Sequence, residues 1–107
     1  MYKWQNLLKN YLSSLFGNFY LVHFLQMKIL YIEDNLRLAS LVKKSLKQDH
    51  FIADTVHTLE DANHSLDQYN YDAVVLDLNL PDGNGIDFLR SVRNKNNNIP
   101  ILILTAN

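Results

Sequence analysis

The chain has 107 residues, enough for one small domain with a single core and too few for two. Hydrophobic residues make up 48% and charged residues 20%, which excludes wholesale disorder, and a net charge of −1 argues against a general nucleic-acid or anionic-membrane surface. With no cysteine, a disulfide framework, a thiolate zinc site and a cysteine nucleophile are all excluded, and a reducing compartment suits the chain.

The first stretch, residues 1–26, holds seven of the twelve aromatics and only Lys3 and Lys9 as charges, while all eleven acidic residues follow Met27. Ser13, Ser14, Gly17, Asn18 and His23 interrupt its apolar run before the roughly 18 residues of a spanning helix accumulate. A small-x-small cleavage site is missing, and two lysines are few for a helix lying on headgroups. We expect Met27 to be the functional start and 1–26 an extension outside the domain, with no membrane contact unless that extension is real. Asn63-His64-Ser65 fits a glycosylation acceptor, but nothing else in the sequence points to secretion.

After Met27 the pattern becomes regular. KILYI (28–32) is a short apolar run of the kind buried on both faces of a parallel sheet, and it ends in Glu33-Asp34. Asn35 is a helix cap, and Leu38, Leu41, Val42 and Leu46 mark the apolar face of the helix it opens, with Leu36 also assigned to the core. FIADTV (51–56) is more polar and reads as an edge strand. Thr58 with Asp61 resembles a capping box for a helix through Leu66. DAVVL (72–76) is a second buried run and ends in Asp77; Ile86, Leu89 and Val92 mark a third helix from near Gly85; NKNNN is a loop. PILIL (100–104) is the last buried run and ends in Thr105. The order βαβαβαβ predicts an α/β fold, a doubly wound parallel sheet with right-handed crossovers, whose ligands sit beyond the carboxyl ends of the strands.

That edge then collects Glu33, Asp34, Asp77 and Thr105. Two carboxylates about 4 Å apart repel by roughly 4 kcal/mol at an effective dielectric near 20, so either one is protonated or a cation sits among them. A few all-oxygen ligands suit Mg²⁺. Asp77, at the end of the central strand, could attack a phosphoryl group as a carboxylate nucleophile, with Thr105 one strand over as a hydrogen-bond donor to the product.

DLNLPDGNG (77–85) is also open to a calcium-loop reading, which fails. Counted from Asp77, position 5 is Pro81, position 6 is Asp82 where glycine is needed, and position 12 is Phe88 where glutamate is needed. As a turn it is sound, and a turn is compatible with a presented Asp77. His50, His57 and His64 have no metal-ligand spacing and read as loop and helix-surface residues; Lys43, Lys44 and Lys47 read as a solvated face.

With ILYIEDN, DAVVLDLNLPDGNG and PILILTA in this order, the chain from Met27 to Asn107 resembles a response regulator receiver domain of two-component signalling, and LPDGNG is most similar to the subclass with a winged-helix DNA-binding output. The resemblance implies a flavodoxin-like fold. It implies that Asp77 accepts a phosphoryl group from a sensor histidine kinase, and that Glu33, Asp34, Asp77 and the backbone carbonyl of Asn79 hold Mg²⁺. Thr105 would be the switch hydroxyl. The family continues past this hydroxyl with a helix, a fifth strand bearing a lysine, and a fifth helix, so the expectation is a truncated receiver lacking its last helix-strand-helix segment. Such a chain would leave ILIL as a sheet edge prone to self-association. The expected role is that of a cytoplasmic phosphoprotein module in transcription regulation, neither an enzyme nor itself a DNA binder. The alternatives are a fragment without function and an aspartyl-nucleophile phosphohydrolase, which would usually carry a second aspartate where Asn79 stands.

Overall fold

Seven elements alternate strictly after Met27: β1 (Lys28–Ile32), α1 (Leu36–Gln48), β2 (Ile52–Val56), α2 (Leu59–Gln68), β3 (Ala73–Asp77), α3 (Gly85–Asn94) and β4 (Ile101–Leu104). They come from a computed structural model, which describes residues 27–78 and 80–104 together with Asn10, Tyr11 and Ser14. The extension expected over 1–26 therefore lies almost wholly outside the described residues. Each strand begins or ends within one residue of its sequence-read bounds. Among the described residues, no helix is long and apolar enough to cross a membrane.

The strands form one all-parallel sheet in the order β2-β1-β3-β4. Strands one, three and four are thus neighbours, and the more polar β2 is at an edge, both as the sequence predicts. Period-two alternation divides the core into two layers. Ile29, Tyr31, Val75 and Ala53 pack with Ala39, Val42 and Leu46 of α1 on one face. Leu30, Ile32, Val74, Leu76 and Ile101 pack with Leu59 and Ala62 of α2 and Phe88 and Val92 of α3 on the other. Helices on both faces bury the middle of the inner strands; Ile29, Leu30, Ile32, Val74, Val75 and Leu76 have no exposed surface. That is why β1 and β3 read as unbroken apolar runs.

The helices start where side chains can satisfy their free N–H groups. Asn35 Oδ1 accepts from Leu38 N at 3.0 Å, Thr58 Oγ1 from Asp61 N at 3.1 Å, and Asn84 Oδ1 from Ile86 N at 2.8 Å. Helix α1 stops in a Schellman arrangement, with His50 N donating to Lys47 O and Phe51 N to Leu46 O, which places His50 in the left-handed region at φ 71°. Helix α2 runs to Gln68, two residues beyond its sequence-read end.

Two core assignments need correction. Leu36 is 65% exposed and Leu41 is 45% exposed. The buried face of α1 is Ala39, Val42, Ser45 and Leu46, with Leu38 partly buried. Ala39 and Ser45 are small enough to bring the helix close to the sheet, so the contact line lies to one side of the stripe that leucines alone suggest.

Candidate functional site

Strands β1 and β3 pair with Ile32 opposite Leu76. The next residues, Glu33 and Asp77, therefore leave the sheet at one level, and Asp34 follows in the turn to α1. One ligand oxygen from each of Glu33, Asp34 and Asp77 lies within 4.8 Å of the other two. Glu33 is buried, Asp77 half-buried and Asp34 exposed, so the trio is closed on the sheet side and open to solvent on the other. Asn79 and Thr105, the remaining predicted site residues, lie outside the described residues.

Glu33 is held from four directions. Tyr31 Oη donates to Oε1 at 3.1 Å, and the backbone N–H of Asn35 donates to Oε2 at 3.2 Å. Its own N–H donates to Val56 O at 3.0 Å, and His57 Nδ1 lies 2.9 Å from its carbonyl oxygen, a contact in which the imidazole N–H must donate. Burial pushes the Glu33 carboxyl up to about 7; the neighbouring Asp77 and Asp34 add to the rise, and the Asn35 N–H opposes it. Burial, then the Glu33 charge and hydrogen bond, raise the Tyr31 phenol far above its usual range, so it stays a neutral donor.

Three carboxylates this close repel by roughly 3–4 kcal/mol per pair at a protein-surface dielectric. The donor set is all oxygen, small in number and open on one side, which fits a hard divalent cation that retains several waters. Neither nitrogen nor sulfur ligands accompany it among the described residues, so a zinc-type centre does not fit.

The loop after Asp77 is more than a turn. Both carboxylate oxygens of Asp82 reach across 22 and 23 residues to the start of α2, accepting from Leu59 N at 3.0 Å and Glu60 N at 3.2 Å. With Thr58 taking Asp61 N, the first three N–H groups of α2 are satisfied, two of them by the loop that follows Asp77. Those backbone donors hold the Asp82 carboxyl below the usual carboxylate range. At the far end of the loop Gly85 starts α3 so close to it that a Cβ would sit 2.8 Å from Leu78 Cδ2.

Replacing Asp82 by alanine is expected to remove about 1 kcal/mol at pH 7, the usual size for an acceptor at a solvent-screened helix start. A carboxyl with a depressed folded pKa stabilises above its unfolded value and loses that contribution as pH falls through the folded one. Wild type and Asp82→Ala should therefore differ in melting temperature at pH 7 and converge as acid protonates the folded Asp82 carboxyl. A constant difference at all pH values would contradict this assignment.

Tyr31, His57 and Asp82 escaped the sequence reading of the site. The signal for Tyr31 was a phenol interrupting an aliphatic strand two residues before an acidic pair. For His57 and Asp82 the partners are distant in sequence, and no local pattern reveals them.

A family model described as "Response regulator receiver domain" matches residues 29–107. The chain is 41% identical over 80 residues to the transcriptional regulatory protein BasR of Escherichia coli, covering 75% of this chain and 36% of that protein. It thus spans about a third of the length of the curated relatives it matches. Among solved structures it superposes on the Francisella response regulator 1452 receiver domain with a TM-score of 0.73, at 27% identity, covering 76% of this chain and 67% of that one. The response regulator TrrA of Thermotoga maritima, solved in complex with Mg²⁺-BeF, gives 0.72 at 29% identity, covering 77% and 71%.

Proposed function

The chain belongs to the response regulator receiver family, and on that premise we propose that Asp77 is its phosphoacceptor and that Glu33, Asp34 and Asp77 hold Mg²⁺ beside it. The observation that carries this reading is the convergence of three carboxylates from two strand ends within 4.8 Å. The Mg²⁺-BeF complex of TrrA supports the choice of ion. The Asn79 carbonyl as a further ligand and Thr105 as the switch hydroxyl extend the same reading from the resemblance. A domain start at Met27 is supported by the burial of that residue in the α1-side core, just before the family match starts.

An Asp77 oxygen attacks phosphorus, forming the new P–O bond of an acyl phosphate. The donor's bond to phosphorus breaks, and the electron pair leaves with the donor group, a histidine imidazole when the donor is a sensor kinase. When bound, Mg²⁺ supplies positive charge against the phosphoryl oxygens and the carboxylates. Tyr31 and Asn35 hold Glu33 in place, and Asp82 ties the loop behind Asp77 to α2, so the nucleophile sits on a braced strand end. A place in transcription regulation is supported by the likeness to BasR, and transfer from a sensor histidine kinase by membership of the receiver family.

Incubating the chain with acetyl phosphate and Mg²⁺ tests this. One equivalent of label per chain, removed by hydroxylamine as an acyl phosphate is, is the expected result. Release of many equivalents of phosphate from a chromogenic ester would point instead to a phosphohydrolase.

A further inference from the structure

Tyr31 is on β1 and packs toward α1, as does Val75 opposite it; Glu33, two residues on and just past the strand end, continues that alternation. An aliphatic side chain at position 31 would fill this layer of the core as Val75 does. Tyrosine fills it and also carries a hydroxyl forward into the acidic pocket, where it reaches Glu33 Oε1 at 3.1 Å with only 2% of the residue exposed. The Asn35 N–H holds the other oxygen. Each Glu33 oxygen thus has one fixed donor, and the Asp34 and Asp77 carboxyls lie against the same carboxylate.

We propose that Tyr31 is a positioning residue for the divalent cation: its phenol, donating to Oε1, locks the Glu33 carboxylate in the orientation from which it serves Mg²⁺. This rests on the reading of the acidic trio as a Mg²⁺ site. Ligand carboxylates are commonly oriented by such outer partners, and loss of one weakens metal binding by about 10–100-fold. Without the hydroxyl, Glu33 can turn about its last torsion, and the ordering of that carboxylate must accompany each binding event. Phenylalanine keeps the ring in the core and removes only the donor.

The test is calorimetric titration of MgCl₂ into the full chain and its variants. Tyr31→Phe should raise the Mg²⁺ Kd about tenfold, and labelling by acetyl phosphate at sub-saturating Mg²⁺ should fall in step with the lost occupancy. In a Glu33→Gln background the same substitution should change Kd no further, since its effect passes through that carboxylate. A Tyr31→Phe protein that melts lower but binds Mg²⁺ as wild type does would reduce the phenol to a core residue and overturn the proposal. So would an equal loss in both backgrounds. Should Tyr31→Phe fail to fold, the wild-type Tyr31 hydroxyl proton, followed by NMR during Mg²⁺ titration, decides: a shift that saturates with binding supports the role and an unmoved resonance refutes it. If wild type itself binds no Mg²⁺, the pocket reading falls and Tyr31 with it, an outcome distinct from normal wild-type binding that Tyr31→Phe leaves unchanged.

Discussion

Asp77→Asn is expected to lower labelling by acetyl phosphate at least about 100-fold, because an amide oxygen is a poor nucleophile and no other carboxylate of the trio stands on the β3 end. The same substitution should stabilise the chain in Mg²⁺-free buffer. At pH 8, above the Glu33 carboxyl at about 7, it removes one of three mutually repelling charges whose oxygens lie within 4.8 Å, a relief of about 1–2 kcal/mol after solvent screening of the half-buried group. For a domain of this size that corresponds to a rise in melting temperature of roughly 5–10 °C. Saturating Mg²⁺ should narrow the gap, since it stabilises wild type more than the variant. The opposed signs matter: a residue that served only the fold would lose stability and chemistry together. Labelling that persists in Asp77→Asn, or a variant less stable than wild type without Mg²⁺, would remove Asp77 from the role assigned to it.

The second large effect concerns Glu33. Its folded carboxyl is pushed up to about 7, chiefly by burial, whereas an unfolded glutamate titrates near 4.5. A group with a raised folded pKa stabilises fully below its unfolded value and loses that contribution as pH rises through the folded one. Mg²⁺-free wild type should therefore lose about 2 kcal/mol between pH 4.5 and pH 7, allowing for partial solvent screening, seen as a fall of roughly 10 °C in melting temperature. Glu33→Gln should abolish most of that slope. The amide keeps an oxygen for the Asn35 N–H, and the Tyr31 hydroxyl can turn to accept from its NH₂ group. Asp82 contributes in the opposite direction, its share being lost as pH falls below the ordinary aspartate value of 3.8, whereas the Glu33 loss comes as pH rises above 4.5. Melting curves at pH 5 and pH 8, with and without Mg²⁺, check the point; equal slopes in wild type and Glu33→Gln would refute it.

Both predictions start from residues that the sequence alone brought forward, yet neither sign was available from it. Glu33 and Asp34 could be named as a pair because two acidic residues ending an apolar strand stand out. That Glu33 is the buried member and Asp34 the exposed one follows from strand alternation continuing one residue past β1, where Glu33 turns toward the α1 face and Asp34 leaves the sheet. The stripe on α1 was misjudged for a related reason. Hydrophobicity ranked Leu36 and Leu41 above Ser45, but close approach of helix and sheet favoured the small residue and left the two leucines in solvent.

What the linear order of residues determined was the alternation of strands and helices, the caps at Asn35 and Thr58, and which strand ends carry acidic groups, because each depends on neighbours within one or two turns of chain. Only the folded chain decided that Asp82 closes the start of α2, that His57 ties to the Glu33 backbone, and that the Tyr31 hydroxyl reaches the Glu33 carboxylate. Two of those contacts span more than twenty residues, and the third depends on a ring carrying its oxygen one layer along the sheet. Local pattern encodes which way a side chain faces; what it meets there is set by the register of strands and the docking of helices.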